Sequence, residues 1–162
     1  MQPLSLKDIR SSFVNTSRRE ASQATPRQDL DSLDWDTMDL LGWTDPQNPQ
    51  RAYALLPAGD RHVGIMLRAV PAPSRKAMCA LCEDITEVSD VKMFVAKLAG
   101  PAGREGNTVG TMAHADFSCS FHARRLPTRM EGQDDPEGFV AARVERLRQN
   151  AERFAQRVLA GR

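Results

Sequence analysis

Cys79-Ala80-Leu81-Cys82 begins the stretch of sequence that decides the fold, and Cys119-Ser120-Phe121-His122 ends it. These two motifs contain all three cysteines of the chain. Two thiolates separated by two residues can bind one metal ion from a tight turn. A second pair of ligands at the start of a helix would complete the four tetrahedral ligands of structural zinc. The pattern therefore predicts a structural zinc site.

The cysteine spacing also allows other interpretations. A lone C-x-x-C can be a redox pair or two buried thiols, but the third cysteine and the histidines behind a predicted hairpin favour zinc. A catalytic zinc is disfavoured because four protein ligands leave no open coordination position. The deaminase motif P-C-x-x-C is absent as well, since Met78 precedes Cys79.

The predicted order of a knuckle, a hairpin and a helix with a ligand at its start is the layout of a treble-clef zinc finger. Cys79, Cys82 and Cys119 are its three predicted thiolate ligands. The fourth ligand is either His122, one helical turn beyond Cys119, or His114, at the end of a predicted strand. Spacing alone slightly favours His122.

Length and charge limit the classes of protein to consider. The chain has 162 residues and a formal net charge of +1, which predicts one domain with at most a small appendage and no strong nonspecific attraction to nucleic acid or membrane. The first residues lack the apolar run of a secretory signal, and no stretch is apolar and long enough to span a bilayer. We therefore expect a cytoplasmic protein, in which disulfides are disfavoured.

The first half of the chain predicts short helices and one hairpin. Ser5 is the expected start of the first helix, and the polar residues 17–28 are expected to form a loop or a frayed extension of it. One or two helical turns are predicted over Leu33–Leu41, ended by Gly42. The apolar runs 51–56 and 62–68 predict a hairpin.

The second half predicts another hairpin and a long helix. Residues 91–96 and 107–114 are the expected strands, joined by a glycine-rich tip that we expect to be flexible, because no Gly-Lys-Ser/Thr follows it. Residues 69–76 form a predicted proline-containing linker. Asp135 as N-cap and Pro136 at the first position predict the C-terminal helix.

Together these segments predict an α+β fold with antiparallel β-hairpins, a treble-clef zinc finger and a long C-terminal helix. Residues 1–70 are assigned to an N-terminal subdomain of helix plus β-hairpin. Residues 71–162 are assigned to the zinc-finger region with the C-terminal helix, and the two parts are expected to form one compact unit.

Six strings, spread over nearly the whole chain, carry a family resemblance. They are Ser12–Asn15, Asp39–Pro46, Arg51–Tyr53, Met78–Cys82, Gly106–Thr111 and Ala115–Ser120. In these strings the chain resembles the elongation factor G-binding proteins with a carboxy-terminal treble-clef zinc finger, the family of the FusB-type fusidic acid resistance proteins. The likeness is to the compact, actinobacterial-like branch of that family.

The resemblance implies a particular set of zinc ligands. In that family four cysteines hold the zinc, and the third ends the strand before the helix, where this chain has His114. Cys79, Cys82, His114 and Cys119 are thus the implied Zn²⁺ ligands, with His122 outside the site. A histidine in place of a cysteine preserves tetrahedral zinc and makes the site one charge less negative.

The function that the resemblance implies is a non-enzymatic zinc-binding module that binds elongation factor G or the ribosome. Arg104 at the glycine-rich tip, together with Arg124 and Arg125, is predicted to contact the partner. The alternative is a nucleic-acid-binding zinc finger that contacts RNA or DNA phosphates through Arg124, Arg125 and Arg129. A small hydrolase with an open zinc position is the third and least favoured hypothesis.

Overall fold

Five antiparallel strands form one sheet at the centre of the molecule. The computed structural model describes residues 1–71, 76–132 and 134–161. The strands are β1 (Leu41–Thr44), β2 (Arg51–Ala58), β3 (Arg61–Ala69), β4 (Val91–Lys97) and β5 (Thr108–His114), and the helices are α1 (Leu6–Ser11), α2 (Arg18–Gln23), α3 (Gly100–Arg104), α4 (Cys119–Arg124) and α5 (Pro136–Leu159). Each strand pairs with the next along the chain, so the sheet order is β1-β2-β3-β4-β5. The predicted α+β class is confirmed.

Both predicted hairpins are present. β2 and β3 are joined by a two-residue turn in which Gly59 adopts a left-handed φ of 65°, a conformation that glycine reaches without steric cost. β4 and β5 pair along their whole length, from Val91 opposite His114 to Lys97 opposite Thr108. The second hairpin therefore carries one candidate metal ligand at the end of its second strand.

The glycine-rich tip of the second hairpin is helical, so the prediction of a flexible loop is wrong. The tip folds into α3, and a Cβ at Gly103 would lie 1.8 Å from the Leu98 carbonyl oxygen, which shows how closely the helix packs on the chain entering it. The Ala99 N–H donates to the Val158 carbonyl at 2.8 Å and so ties the tip to α5. Arg104 is exposed, as predicted.

Two capping boxes organise the N-terminal segment. Ser5 and Asp8 form the first at the start of α1, where the sequence predicts a helix. Ser17 and Glu20 form the second and begin α2. Residues 18–23 of the polar segment thus form a separate helix rather than a loop or an extension of α1, and the pattern Ser-x-x-Glu is the signal that identifies it. Residues 24–28 lie outside helices and strands, as the loop prediction has it.

The helical turns predicted over Leu33–Leu41 are mostly replaced by other structure. Two single 3₁₀ turns lie at Leu30–Ser32 and Trp35–Thr37, and Leu41 already begins β1. Gly42 ends no helix, because it lies inside that strand beneath the ring of Phe117. Trp43, the next residue of β1, is buried in the core.

α5 is the predicted C-terminal helix, with Asp135 as its N-cap and Pro136 in its first turn. Its buried residues recur every three or four positions, so they form one stripe that faces β2 and β5. They are Arg143, Leu147, Asn150, Ala151, Phe154, Ala155 and Val158. Two polar residues therefore lie among the apolar ones of this stripe.

The sheet has a packed layer on each face, and the two layers differ in extent. On one face the sheet packs against α5 in the larger core, which includes Ile65, Phe94 and Leu147. On the other face the N-terminal segment covers β1 to β3 in a smaller core, where Trp43 stacks on Tyr53 at 5.3 Å between ring centroids. Among the described residues, β4 and β5 contribute nothing to this smaller core.

Strands from both predicted parts of the chain enter this single sheet, and the division into residues 1–70 and 71–162 stays a prediction. The predicted linker over residues 69–76 includes residues 72–75, which lie outside the described residues. Within the described ranges, no helix combines the length and hydrophobicity needed to cross a bilayer. The expected cytoplasmic location stays a prediction.

Gly42→Ala is expected to destabilise the protein, because the new Cβ would lie 2.3 Å from Cγ of Phe117. Phe117 already adopts a left-handed φ of 60° and cannot easily move. We expect a loss of about 1–3 kcal/mol in the free energy of unfolding, measured by urea denaturation. Gly110→Ala is the matched control, because its Cβ meets the flexible Met93 side chain at 3.2 Å. Equal effects of the two substitutions would contradict the close packing at Gly42.

Candidate metal centre

Four donor side chains meet in the interior of the protein. They are Cys79, Cys82, His114 and Cys119, called the four-donor cluster below. Their ligand atoms all lie within 4.8 Å of one another, and each residue is at most 2% exposed. The sequence places these residues up to 40 positions apart, so only the fold brings them together.

The spacing of the donors fits a tetrahedral metal ion. Sγ of Cys79 lies 3.6 Å from Sγ of Cys119, and Nδ1 of His114 lies 3.5 Å from Sγ of Cys82 and 3.7 Å from Sγ of Cys119. Metal–sulfur bonds of about 2.3 Å and metal–nitrogen bonds of about 2.0–2.1 Å in a tetrahedron place neighbouring donors about 3.5–3.8 Å apart. These three distances match a tetrahedral ion, and all four donor atoms lie within 4.8 Å of one another.

The outer nitrogen of His114 fixes the orientation of its ring. Nε2 lies 3.0 Å from the carbonyl oxygen of Glu87, to which it can donate a hydrogen bond. That contact assigns the proton to Nε2 and leaves Nδ1 to face the thiols. Metal-binding histidines usually have such a partner on their second nitrogen, so His114 is held ready to act as a ligand.

Close contact among the donors shifts their affinity for protons. Hydrogen bonds with Cys119 and Cys82 lower the pKa of the Cys79 thiol far below its ordinary value, whereas hydrogen bonds with Cys79 and Cys82 raise the pKa of Cys119. Burial lowers the pKa of His114, but its hydrogen bonds with Cys79 and Cys82 raise it to about 11. A bound cation would replace these protons, so metal binding should weaken as the pH falls.

His122 lies beside the four-donor cluster and outside it. Its ring stacks on that of His114, with 4.2 Å between centroids and 20° between planes. Its Nδ1 lies 3.6 Å from Oδ2 of Asp84 and so points to a carboxylate. Spacing in the sequence favours His122 as the fourth donor, but the fold presents His114 to the three cysteines.

The knuckle that carries Cys79 and Cys82 is held from two sides. The Ala80 N–H donates to the Met112 carbonyl of β5 at 2.8 Å. From α5, the buried Asn150 side chain donates to the Leu81 carbonyl at 2.9 Å. Asn150 is thus a structural residue of the metal centre that the sequence analysis missed, and a polar residue on the buried stripe of α5 was its only signal.

α4, which carries Cys119 in its first turn, is anchored by a buried carboxylate. Asp39 receives charged hydrogen bonds from Arg124 and, at 2.8 Å, from Arg148 of α5. The Asp39 side chain is completely buried, and the backbone N–H of Asp39 donates to the Ser120 hydroxyl at 2.9 Å. Asp39 therefore ties the segment before β1 to both helices.

The C-terminal end of α4 is capped by side chains rather than by glycine. Arg143 from α5 donates to the carbonyls of Ala123 and Arg125. Arginines near a helix C-terminus satisfy its free carbonyls and interact favourably with its dipole. The buried Arg143 on the inner stripe of α5 is explained by this role.

Arg125 joins three segments around the four-donor cluster. Its Nε donates to Asp84, just after the knuckle, at 2.6 Å, and its two terminal nitrogens each donate to Glu131 at 2.9 Å. Burial raises the pKa of Asp84, but hydrogen bonds from the Glu87 N–H and Arg125 outweigh this effect and lower the pKa to about 2. Hydrogen bonds from Arg125 likewise hold the pKa of Glu131 at about 2.

The three arginines predicted to contact a partner lie in different surroundings. Arg104 is exposed on α3. Arg124 and Arg125 are each less than a third exposed and are engaged in the ion pairs described above. Partner binding by these residues stays a prediction.

A two-cysteine knuckle, a β-hairpin that ends in a third donor and a helix that starts with the fourth define the class of treble-clef zinc fingers. The family model described as FBP C-terminal treble-clef zinc-finger matches residues 8–158, and the chain belongs to this family. The resemblance drawn from the sequence is thereby confirmed. No curated protein matches the chain.

A solved structure shares this fold. The structure of the fusidic acid resistance protein FusC superposes on 74% of this chain with a TM-score of 0.53 and a sequence identity of 22%. The superposed part is 52% of FusC, so this chain spans about half the length of that protein. At this identity the similarity shows the fold.

His114→Ala is expected to abolish stoichiometric metal binding, because it removes one of the four donors. His122→Ala should retain about one zinc ion per chain, since His122 contributes packing against His114 and no donor. Metal content after dialysis, measured by plasma mass spectrometry, distinguishes the two variants. Loss of zinc in His122→Ala with retention in His114→Ala would overturn the ligand assignment.

The Arg125 network predicts a stability difference that depends on pH. Asp84 and Glu131 have folded pKa values near 2, below their ordinary values of about 4. Their ion pairs with Arg125 therefore stabilise the folded state fully above about pH 5, and this stabilisation is lost as the pH falls toward 2. Arg125→Met should therefore lower the free energy of unfolding by about 3 kcal/mol at pH 6 and by clearly less at pH 3. Urea denaturation at both values tests this.

Arg129→Met is the control for that comparison, since Arg129 is exposed and lies in the same loop region as Glu131. Its effect on the free energy of unfolding should be small at both pH values. Metal content is measured for wild type and both variants at each pH, so that a difference in metal loss is separated from the effect of the ion pairs. A cost of Arg125→Met that stays constant from pH 6 to pH 3 would contradict the network.

Proposed function

We propose that the protein is a non-enzymatic module that uses a structural zinc ion to hold a binding surface for elongation factor G or for the ribosome. The observation that carries this proposal is the closed four-donor cluster, in which Cys79, Cys82, His114 and Cys119 are all buried.

The chemistry of the donors supports zinc. Three thiolates and one imidazole in a tetrahedron are the ligand set of structural zinc sites, whereas calcium and magnesium prefer oxygen ligands and higher coordination numbers. The family of treble-clef zinc fingers to which the chain belongs agrees with this choice. Zinc held by knuckle, β5 and α4 would fix these three elements relative to one another.

The closed donor set also supports a non-catalytic role. Catalytic zinc sites use three protein ligands and keep the fourth position for water or substrate. Here a fourth protein donor, His114, occupies that position, and its ring is held by Glu87 and stacked on His122. Activation of a water molecule by the ion would require one of these donors to leave.

Exposed apolar side chains next to the metal centre support a protein partner. Ile85, Phe121, Leu126 and Met130, called the apolar patch below, are 62%, 74%, 84% and 95% exposed. They lie on the three segments that Arg125 joins, and the Phe121 ring contacts His122 at 5.6 Å between centroids. Four largely exposed apolar side chains on segments that one network joins to the metal centre support a protein interaction surface there.

The identity of the partner rests on family membership. The FusB-type proteins that this chain resembles bind elongation factor G, and FusC, which shares the fold, is a fusidic acid resistance protein. This chain spans only about half of FusC, so binding of elongation factor G is proposed here for the zinc-finger part. Phosphate binding through Arg124 and Arg125 has less support, because their guanidinium groups already pair with Asp39, Asp84 and Glu131.

The zinc-loaded protein, immobilised at low salt, is expected to retain elongation factor G or ribosomes from a bacterial lysate. Phe121→Ala should reduce this retention at least tenfold, because it removes the aromatic ring of the apolar patch. Met93→Ala is the control, since Met93 is an exposed apolar residue on β4 outside the patch. Failure of the wild-type protein to retain either partner, measured by immunoblotting, would refute the proposal.

A further inference from the structure

A groove crosses the sheet at the end of the β4–β5 hairpin that lies far from the metal centre. It has a volume of about 330 Å³, and its lining includes Arg51, Arg68 and Lys97 from three neighbouring strands. We call it the basic groove. Lys97 pairs with Thr108, the first residue of β5, and His114 of the four-donor cluster is the last residue of that strand. The length of β5, about 20 Å, therefore separates the two sites.

Strand register places the three cations on one face of the sheet. Arg51 and Arg68 are direct cross-strand partners, and Arg68 is in turn the partner of Val95. Lys97 lies two residues beyond Val95 and so projects to the same face. Like charges directly opposite each other destabilise a sheet, and an anion bound between them would relieve this repulsion.

Nearby acidic groups neutralise only part of this charge. Asp45 lies 3.7 Å from Arg51. Glu20, close enough to affect Arg51 electrostatically, accepts hydrogen bonds from the hydroxyls of Thr16 and Ser17. Within the described ranges, the ion pairs of the protein include neither Arg68 nor Lys97, and the six residues outside those ranges contain no Asp or Glu.

The floor of the basic groove is rigid. The Asn15 side chain donates to the carbonyls of Met66 and Lys97, both at 3.0 Å, and accepts from the Met66 N–H at 2.8 Å. It thus bridges β3 and β4 where their own pairing, limited to two residue pairs, has ended. The cations are therefore presented from a fixed backbone, which lowers the entropic cost of binding.

A second groove of about 360 Å³ continues the basic groove past Lys97 to Arg104. The two grooves share Asn15, Met66 and Lys97 in their linings, and both are open to solvent. The lining of the second groove also includes one carboxylate, that of Glu20, which accepts hydrogen bonds from Thr16 and Ser17. Four cations against this one acid, along a groove with open ends, suit a chain-like polyanion better than a small molecule. Arg104, predicted from the sequence to meet a partner, lies at one end of this track.

The neutral part of the lining distinguishes between polyanions. Asn48, Gln50 and Thr108 supply further polar groups, and neither groove has an aromatic residue in its described lining. Protein interfaces rely on aromatic or other large anchors in pockets, whereas nucleic-acid interfaces are more polar and much more positively charged. Without aromatic rings the groove cannot stack bases, so recognition would be confined to the backbone.

We propose that the basic groove binds the phosphate backbone of nucleic acid, independently of base sequence, with single-stranded RNA as the probe. Arg51, Arg68 and Lys97 contact successive phosphates, and Arg104 contacts a further phosphate along the nucleic-acid strand. This site is separate from the apolar patch and does not depend on the proposed binding of elongation factor G.

Fluorescence anisotropy with a labelled 16-nucleotide oligouridine tests the proposal on the zinc-loaded protein. Each phosphate contact to single-stranded RNA contributes about −0.7 to the slope of log K against log salt concentration, so the four contacts of Arg51, Arg68, Lys97 and Arg104 predict a slope of about −2.8. The double variant Arg68→Gln/Lys97→Gln should bind at least tenfold more weakly, with a slope smaller in magnitude by about 1.4.

Arg61→Gln/Lys92→Gln is the matched control. It removes one arginine and one lysine from the same two strands, and both exposed residues alternate to the other face of the sheet. Unchanged RNA affinity in this control, with loss in the groove variant, supports the proposal. No binding by wild type, equal losses in both variants, or binding of polyglutamate in preference to RNA would each overturn it.

Discussion

The tetrahedral arrangement of three sulfurs and one nitrogen is the constraint on which the second half of the structure depends. Its donors come from the knuckle, the end of β5 and the start of α4, and α4, with six residues, is too short to keep its position alone. Their positions are set instead by the shared centre and by contacts from α5, where Asn150 holds the knuckle and Arg143 caps α4. A metal ion bound by these four donors would contribute directly to the folding free energy.

Charge pairs extend this constraint to the rest of the molecule. Asp39 links α4 and α5 to the segment before β1, and Arg125 links the knuckle to the loop before α5. Buried ion pairs are costly to break, because removal of one partner leaves the other without compensation. Arg124 and Arg125, two of the three arginines predicted to contact a partner, therefore connect elements of the metal centre in this fold, and Arg124 also connects them to the N-terminal half.

The local patterns of the sequence predicted most of the elements but not their connections. Hairpins, the capped α5 and the three thiolate ligands follow from short-range signals such as alternation, N-caps and C-x-x-C spacing. The choice of His114 over His122 came from family resemblance, because it depends on how β5 and α4 pack. Gly42 was misread as a helix end for a similar reason, since its role is to make room for Phe117, 75 positions away. Long-range packing of this kind leaves no signal in neighbouring residues.

X-ray absorption spectroscopy at the zinc edge tests the central claim most directly. For the purified, zinc-loaded protein, a closed site predicts three sulfur neighbours at about 2.3 Å and one nitrogen neighbour at about 2.0–2.1 Å, with the multiple scattering of one imidazole. The same spectrum should persist in His122→Ala. A spectrum with an oxygen ligand from water, or with two imidazoles, would contradict a closed site built from Cys79, Cys82, His114 and Cys119.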